Sequence, residues 1–153
     1  HLTKKEQIME EFKAYPVFEK SVHLANSWIK DLMYEINLDD SAKTFQALRV
    51  TLHTLRDRLL PEEALHLGAQ LPMVLRGSYY DGWKISRTPL KLRTKEEFFT
   101  HIQEQYNAPL PVDVELLVRA VFKLLRHHIS RGEIKDIEAT MPEKLRDLWP
   151  QEV

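Results

Sequence analysis

Apolar residues recur at spacings of three and four along almost the whole chain, and only four glycines interrupt them. This spacing places apolar side chains on one face of an α-helix, and no segment alternates as a half-buried strand does. A first helix is predicted from Pro16 to about Asn37, a second ends near Leu59, a third begins at Pro61 and a short fourth follows Pro72. On the first helix we expect a buried face made of Phe18, Val22, Ala25, Trp28, Ile29, Leu32, Met33 and Ile36.

The same plan returns in the second half of the chain, where residues 96–149 match residues 26–79 at an offset of seventy without a gap. Thr94 with Glu97, and Ser130 with Glu133, each have the spacing of a capping box. The matched pairs include Asn37–Asn107, Arg49–Arg119, Arg56–Arg126, Glu63–Glu133, Pro72–Pro142 and Arg76–Arg146. The sequence therefore predicts an all-α fold with an internal duplication. Two tandem copies of a four-helix unit, about eight helices in all, are related by a pseudo-twofold axis and packed as one compact domain.

This prediction divides the chain into a first helical repeat at 16–80, a connector at 81–95 and a second helical repeat at 96–149. The connector, DGWKISRTPLKLRTK, carries five basic residues and one acid, so we expect an ordered or semi-ordered basic segment rather than a helix. The chain begins at His1 without a methionine, so we expect residues 1–15 to be an expression remnant or a flexible amino terminus.

Composition narrows the function classes only slightly. A formal net charge of −1 over 153 residues selects no partner, and 43% apolar residues are typical of a globular protein. Because the chain has no cysteine, it has no disulfide, no thiolate metal ligand and no cysteine nucleophile. No apolar run is long enough to span a bilayer, and residues 1–12 lack the apolar segment of a signal peptide. We therefore expect a cytoplasmic protein that does not bind membranes.

The run LRVTLHTLRDRLLPEEALHLGAQLPMVLRGSYYDGW, with the later EEFF and the closing LW, is the most distinctive part of the sequence. In these residues the chain resembles a bacterial family catalogued as domain of unknown function 2267. The resemblance extends over roughly residues 17–149. It implies a compact helical bacterial protein, and it implies neither an activity nor any site residues.

Two matched rows of basic side chains are the clearest candidate site. At 100° per residue, the side chains of a first basic stripe lie beside the apolar face of the second predicted helix. A second basic stripe lies at the matching positions of the sixth predicted helix, which corresponds to the second at the offset of seventy. The first consists of Arg49, His53 and Arg56, and the second of Arg119, Lys123 and Arg126. Either stripe can pair with acids of neighbouring helices, such as Glu63 and Glu133, or it can bind an anion together with the connector. The candidate anion-binding or nucleic-acid-binding residues are Arg49, Arg56, Arg119, Lys123, Arg126, Lys84, Arg87, Lys91 and Arg93.

Metal and catalytic sites find less support. Glu63 and His66 have the three-residue spacing of a helical metal half-site, matched by Glu133 and Asp136, but the core faces of the other helices are apolar. A capping glutamate and a surface histidine explain Glu63 and His66, so we predict no metal site and no cofactor. The sequence has no phosphate-binding loop, no GxGxxG and no nucleophile elbow, so no catalytic residue is assigned.

An aromatic cluster follows the fourth helix. Tyr79 matches Trp149, which predicts that both close the core of a repeat, whereas Tyr80 and Trp83 have no matching aromatic and are candidates for a partner surface. We therefore predict a non-enzymatic helical interaction module whose partner is an unknown protein or a second copy of the chain. The alternative is a binder of nucleic acid or another polyanion, and an enzyme of unknown class is the third possibility.

Overall fold

A computed structural model describes residues 1–151, and within them it confirms the all-α fold. Nine α-helices and one 3-10 helix make up the described part of the chain. They are α1 (Lys4–Glu11), α2 (Pro16–Ile36), α3 (Ser41–Arg58), α4 (Pro61–Ala69), α5 (Met73–Tyr80), the 3-10 helix (Ile85–Arg87), α6 (Lys95–Gln105), α7 (Val114–His128), α8 (Arg131–Thr140) and α9 (Glu143–Arg146).

Helix α1 lies in the segment for which the sequence predicted no structure. The side chain of Thr3 accepts a hydrogen bond from the backbone of Glu6, and the carboxylate of Glu6 accepts one from the backbone of Thr3. This capping box starts the helix, because each side chain satisfies a backbone donor that has no partner within the helix. None of its residues is buried.

Helices α2, α3 and α7 form the centre of the protein. Helix α2 packs on α3, α5 and α7, α3 also packs on α6 and α7, and α4 packs on α8. Helix α7 is apolar around most of its circumference, and buries Leu117, Val118, Ala120, Val121, Phe122, Leu124 and Leu125. At its centre the ring of Phe122 stacks on that of Trp149, with ring centroids 4.2 Å apart.

The predicted buried face of α2 is wrong over its first two turns. Phe18 is 58% exposed and Val22 is 49% exposed, whereas Ser21, Ala25, Trp28, Leu32 and Ile36 are buried. Periodicity identifies the apolar face of a helix, but it does not tell how far the neighbouring helices extend along that face. The start of α2 therefore leaves several large apolar side chains in contact with solvent.

Helix bounds recur at the predicted offset. Helices α4 and α8 begin seventy residues apart, at Pro61 and Arg131, and α3 and α7 end seventy apart, at Arg58 and His128. The matched arginines Arg76 and Arg146 both donate to carbonyls at the end of the preceding helix; Arg76 bonds Leu71 and Arg146 bonds Met141. These correspondences favour the internal duplication, which stays a prediction.

Of the two predicted capping boxes, only the one at α6 forms completely. There Thr94 and Glu97 exchange both hydrogen bonds. At α8 the hydroxyl of Ser130 accepts from the backbone of Glu133, but the Ser130 amide donates to the side chain of Gln70 at 2.9 Å instead. Because Gln70 takes that amide, the carboxylate of Glu133 is free to turn inward.

The connector is held against α3. The amide of Leu90 donates to the carbonyl of Asp57 at 2.6 Å, and Arg58 donates to the carbonyl of Leu92 at 2.9 Å. Gly82 has φ +72, a left-handed conformation that side chains with a Cβ rarely adopt, and it turns the chain after α5. The connector therefore follows one side of α3 and brings its basic residues toward the first basic stripe.

Candidate functional site

The first basic stripe and the connector line one cleft of about 410 Å³ between α3, the 3-10 helix and α6. Its wall consists of Arg49, His53, Arg56, Asp57, Asp81, Gly82, Lys84, Arg87, Thr88, Leu90, His101 and Gln105. We call this site the basic cleft. Its volume lies within the range typical of small-molecule sites. Among its lining residues, four arginine or lysine side chains face two carboxylates, so positive charge is in excess.

Arg56 is the structural centre of the basic cleft. It is 3% exposed, and its guanidinium donates to the carboxylate of Asp57 at 2.8 Å and to the carbonyls of Tyr79 and Asp81 at 2.7 and 3.0 Å. A buried guanidinium needs such a set of acceptors, because burial of an unpaired charge is costly. Arg56 therefore holds the end of α5 against α3 and has few donors left for a ligand.

Arg49 and His53 form the part of the first stripe that is nearer to solvent. Arg49 pairs with Asp81 at 3.0 Å, and the two side chains are 32% and 70% exposed. The Nε2 atom of His53 lies 2.6 Å from the carbonyl oxygen of Ser78, to which its N–H donates. Burial lowers the pKa of His53 more than this hydrogen bond raises it, and the positive charges of Arg56 and Arg49 lower it further. His53 is consequently a neutral donor near pH 7.

Lys84 and Arg87 supply the uncompensated charge of the basic cleft. Both come from the connector and are exposed, and within residues 1–151 neither forms an ion pair. Asp57 and Asp81 are already engaged by Arg56 and Arg49. His101 and Gln105 of α6 line the same cleft and add uncharged hydrogen-bonding groups. The basic cleft therefore presents, beside neutral donors, two cations that form no ion pair with the described part of the chain.

The second basic stripe has different surroundings, because each of its three cations pairs with an acid. Arg119 pairs with Glu115 at 3.0 Å, Lys123 pairs with Glu35 at 2.9 Å, and Arg126 pairs with Glu138 and also donates to the carbonyl of Pro150. A cleft of about 550 Å³ adjoins this stripe, and its charged lining is balanced, with Asp31 and Glu35 opposite Lys123 and Arg126. The larger cleft therefore offers no excess charge to an anion.

Two other candidate cations lie outside both clefts. Lys91 and Arg93 are exposed residues of the connector, and neither lines the basic cleft. Arg93 lies close enough to Arg58 to lower its pKa, in addition to the larger effect of burial. The structure therefore brings together Arg49, Arg56, Lys84 and Arg87, and it places Lys91, Arg93 and the second stripe elsewhere.

The aromatic candidates are half-buried. The rings of Tyr80 and Trp83 stack with centroids 5.7 Å apart, and both pack against the hydrophobic core. Tyr79 and Trp149 are 1% and 3% exposed, in agreement with the prediction that both close the core. Tyr79 donates to the carbonyl of Ala64 at 2.7 Å, and its burial raises its pKa far above the usual value. A partner surface at Tyr80 and Trp83 stays a prediction.

A second cluster of polar side chains lies where α4 meets α8. The metal-binding atoms of Glu63, His66 and Glu133 all lie within 4.8 Å of one another. The expectation that Glu63 and Glu133 pair with the stripe arginines is wrong, since Arg56 pairs with Asp57 and Arg126 with Glu138. The sequence contained a sign of this cluster, because Glu63 and Glu133 are matched positions at the offset of seventy.

Comparison with known proteins gives a family without an activity. No curated protein matches the chain. None of the helices in residues 1–151 combines the length and the hydropathy that crossing a bilayer requires. The model of an uncharacterized conserved protein family, DUF2267, matches residues 25–148, which include both basic stripes, the connector and the cluster between α4 and α8. The chain therefore belongs to the DUF2267 family.

Proposed function

We propose that this protein is a non-enzymatic interaction module that binds the phosphate group of a ligand in the basic cleft. The observation that supports this most is the position of Lys84 and Arg87, which join the first stripe while their charges remain unpaired within the described residues. Cations with few protein partners, next to neutral N–H donors, form the usual setting for a phosphate. The proposed location is the bacterial cytoplasm, which the cysteine-free sequence favours.

The contrast between the two stripes limits the size of the ligand. A nucleic acid that crossed both stripes would have to displace the carboxylates of Glu35, Glu115 and Glu138. A single phosphorylated group needs only the 410 Å³ basic cleft. We therefore favour a small phosphorylated molecule, or one phosphorylated end of a larger one, over an extended polyanion.

The test is isothermal titration of the protein with pyrophosphate at low salt, repeated at physiological salt. We expect Lys84→Glu with Arg87→Glu to weaken binding by at least about tenfold, because the double variant reverses both unpaired charges. The matched control is Lys91→Glu with Arg93→Glu, which makes the same charge change in the same connector outside the basic cleft. This control should change the affinity by less than about threefold.

The outcomes separate the ligand classes. Equal losses in the two double variants would show general attraction by the connector and contradict a defined cleft. Absence of binding at low salt would eliminate the proposal. A labelled oligonucleotide, followed by fluorescence anisotropy, measures the polyanion alternative. Its affinity should fall steeply and linearly in log salt if many phosphates are contacted, and a loss of that binding on charge reversal at both stripes would favour nucleic acid.

A second candidate function is self-association through the apolar start of α2. Phe12, Tyr15 and Phe18 are 72%, 54% and 58% exposed, and the rings of Tyr15 and Phe18 meet edge to face at 5.1 Å. Exposed apolar patches of this kind mark interaction surfaces. Sedimentation of the protein and of Phe18→Asp is the test, with Tyr34→Asp, an exposed position at the other end of α2, as the control. A monomer at all concentrations would contradict this candidate.

A further inference from the structure

Two glutamates from different halves of the chain meet at the contact between α4 and α8. Glu63 and Glu133 are each the third residue of their helix, and His66 follows one turn after Glu63. The Nδ1 atom of His66 lies 3.8 Å from Oε1 of Glu63, and the ligand atoms of all three residues lie within 4.8 Å of one another. This Glu63–His66–Glu133 cluster is separate from the basic cleft and shares no residue with it.

The carboxylates in this cluster are buried without the partners that buried carboxylates require. Glu133 is only 8% exposed, and the side chain of Glu63 is 19% exposed. Oε2 of Glu63 and Oε1 of Glu133 are both shielded from solvent, and neither accepts a hydrogen bond from any group in residues 1–151. Buried polar groups in native proteins nearly always have a partner, so an unpartnered buried oxygen on each of two neighbouring glutamates indicates a missing positive group.

The protein's own groups that normally satisfy such carboxylates are engaged elsewhere. A glutamate at the third position of a helix usually accepts from the capping residue, but the Ser130 amide donates to Gln70. Arg56 and Arg126, which are matched positions of the two stripes, pair with Asp57 and Glu138. Two ionised carboxylates as close as those in this cluster repel each other when no cation lies between them.

We propose that Glu63, His66 and Glu133 bind a divalent transition-metal ion of the zinc class. Two carboxylate oxygens and one imidazole nitrogen form a donor set suited to Zn²⁺, Mn²⁺ or Fe²⁺, whereas Mg²⁺ and Ca²⁺ prefer oxygen ligands alone. The side chain of His66 is 52% exposed, so the cluster is open to solvent on one side. An ion enters from that side, and water completes its coordination.

The geometry requires only small side-chain movements. Metal–ligand bonds of about 2.0–2.1 Å place the ligand atoms of a tetrahedral site about 3.3 Å apart. The Nδ1–Oε1 distance of 3.8 Å between His66 and Glu63 is within half an ångström of that value, and rotation about the glutamate side-chain bonds closes the remaining distances. An ion at this position links α4 to α8, and so joins the first repeat to the second.

The test is titration with Co²⁺, whose visible absorption reports coordination by protein ligands, followed by displacement with Zn²⁺. The protein is prepared without a polyhistidine tag and is freed of metal with a chelator. We expect one ion per chain. Glu133→Gln and His66→Gln each remove one ligand and should weaken binding by about 10–100-fold or more. Glu62→Gln is the matched control, because it changes an exposed carboxylate next to Glu63 and should alter the affinity by less than about threefold.

A second readout is the melting temperature, Tm. Zn²⁺ at a hundredfold excess over its Kd should raise Tm by about 5–10 °C in the unmodified protein and in Glu62→Gln, and by much less in His66→Gln. Absence of stoichiometric binding would overturn the proposal and leave a carboxyl–carboxylate pair that shares a proton. Binding that survives both Glu133→Gln and His66→Gln would overturn it as well. If Glu133→Gln does not fold, the half-exposed His66 variant decides the result.

Discussion

The two basic stripes occupy matched positions on matched helices, but the structure surrounds them differently. Around Arg49, His53 and Arg56 the connector adds Lys84 and Arg87, and positive charge accumulates at the basic cleft. Around the second stripe, Glu35, Glu115 and Glu138 neutralise every cation. Helical spacing therefore determines on which face of a helix a charged side chain lies, whereas residues distant in sequence determine whether its charge is neutralised.

One role is nevertheless shared between the stripes. Arg56 donates to the carbonyls of Tyr79 and Asp81, where the chain leaves α5, and Arg126 donates to the carbonyl of Pro150, after α9. Each arginine therefore holds the segment that follows a helix, α5 for Arg56 and α9 for Arg126. The degree of burial differs, since the side chains of Arg56 and Arg126 are 4% and 22% exposed.

We expect the largest change in the free energy of unfolding when these two arginines are replaced. Arg56→Met leaves Asp57 and two carbonyls without their buried donor, and should lower the free energy of unfolding by about 3–5 kcal/mol. Arg126→Met removes a more exposed arginine and should cost about 1–3 kcal/mol. Urea denaturation followed by circular dichroism measures both values. An equal loss in the two variants would contradict the distinction drawn from their burial.

The sequence predicted most helix ends because these depend on local chemistry. Pro61 begins α4, Thr94 caps α6 and Asn37 ends α2 in a left-handed conformation. In each case a proline, a side-chain acceptor or a residue that tolerates positive φ acts within a few residues of the helix end. Helix α1 is capped in the same local way by Thr3 and Glu6, so its start too follows from the sequence around it.

What the sequence could not predict depends on contacts between distant residues. The acid that covers Lys123 is Glu35, 88 residues away, and no local pattern relates them. The exposed start of α2 was missed for the same reason, since the extent of neighbouring helices is a tertiary property. The Glu63–His66–Glu133 cluster depends on the contact of α4 with α8, although the offset of seventy already matched its two glutamates. The residue types of the proposed anion site follow from the sequence, but only the structure shows that Lys84 and Arg87 line the basic cleft and that Lys91 and Arg93 do not.

Removal of the acids beside the second stripe should give the larger cleft an excess of positive charge, as in the basic cleft. Asp31→Asn with Glu35→Gln removes both acids that line the larger cleft and leaves Lys123 and Arg126 there. Pyrophosphate binding at that cleft should appear or strengthen by about 3–10-fold at low salt, because the local charge becomes positive. The measurement uses the Lys84→Glu, Arg87→Glu background, so that the basic cleft does not contribute.

Its control makes the same charge change elsewhere. Glu19→Asn with Asp39→Asn removes two exposed acids of which neither lines the larger cleft. An equal gain in this control would show that net charge alone is responsible. In that case the comparison of the two stripes would carry no information about a defined site.

The free energy of unfolding should depend on pH through His53 of the first stripe, whose matched residue in the second stripe is Lys123. The pKa of His53 is lowered in the folded protein by burial and by its arginine neighbours, so the unfolded chain binds the proton more readily. Its contribution to the free energy of unfolding is therefore present above about pH 6.5 and is lost as the pH falls below that value. Urea denaturation at several pH values should show the difference between the protein and His53→Gln shrinking as the solution becomes more acidic. A difference that grows instead would mean that His53 is protonated in the fold.

The smallest expected effect belongs to the most exposed pair of the second stripe. Lys123 and Glu35 lie 2.9 Å apart, but their side chains are 59% and 31% exposed, so water competes for both charges. A double-mutant cycle with Lys123→Ala and Glu35→Ala should give a coupling energy of about 0.2–1 kcal/mol, falling toward zero in concentrated salt. The same cycle on Arg56 and Asp57, whose side chains are 4% and 20% exposed, should give a larger value that salt reduces less. Equal coupling energies with equal sensitivity to salt would contradict this expectation. They would mean that burial does not explain the difference between Arg56 in the first stripe and the neutralised cations of the second.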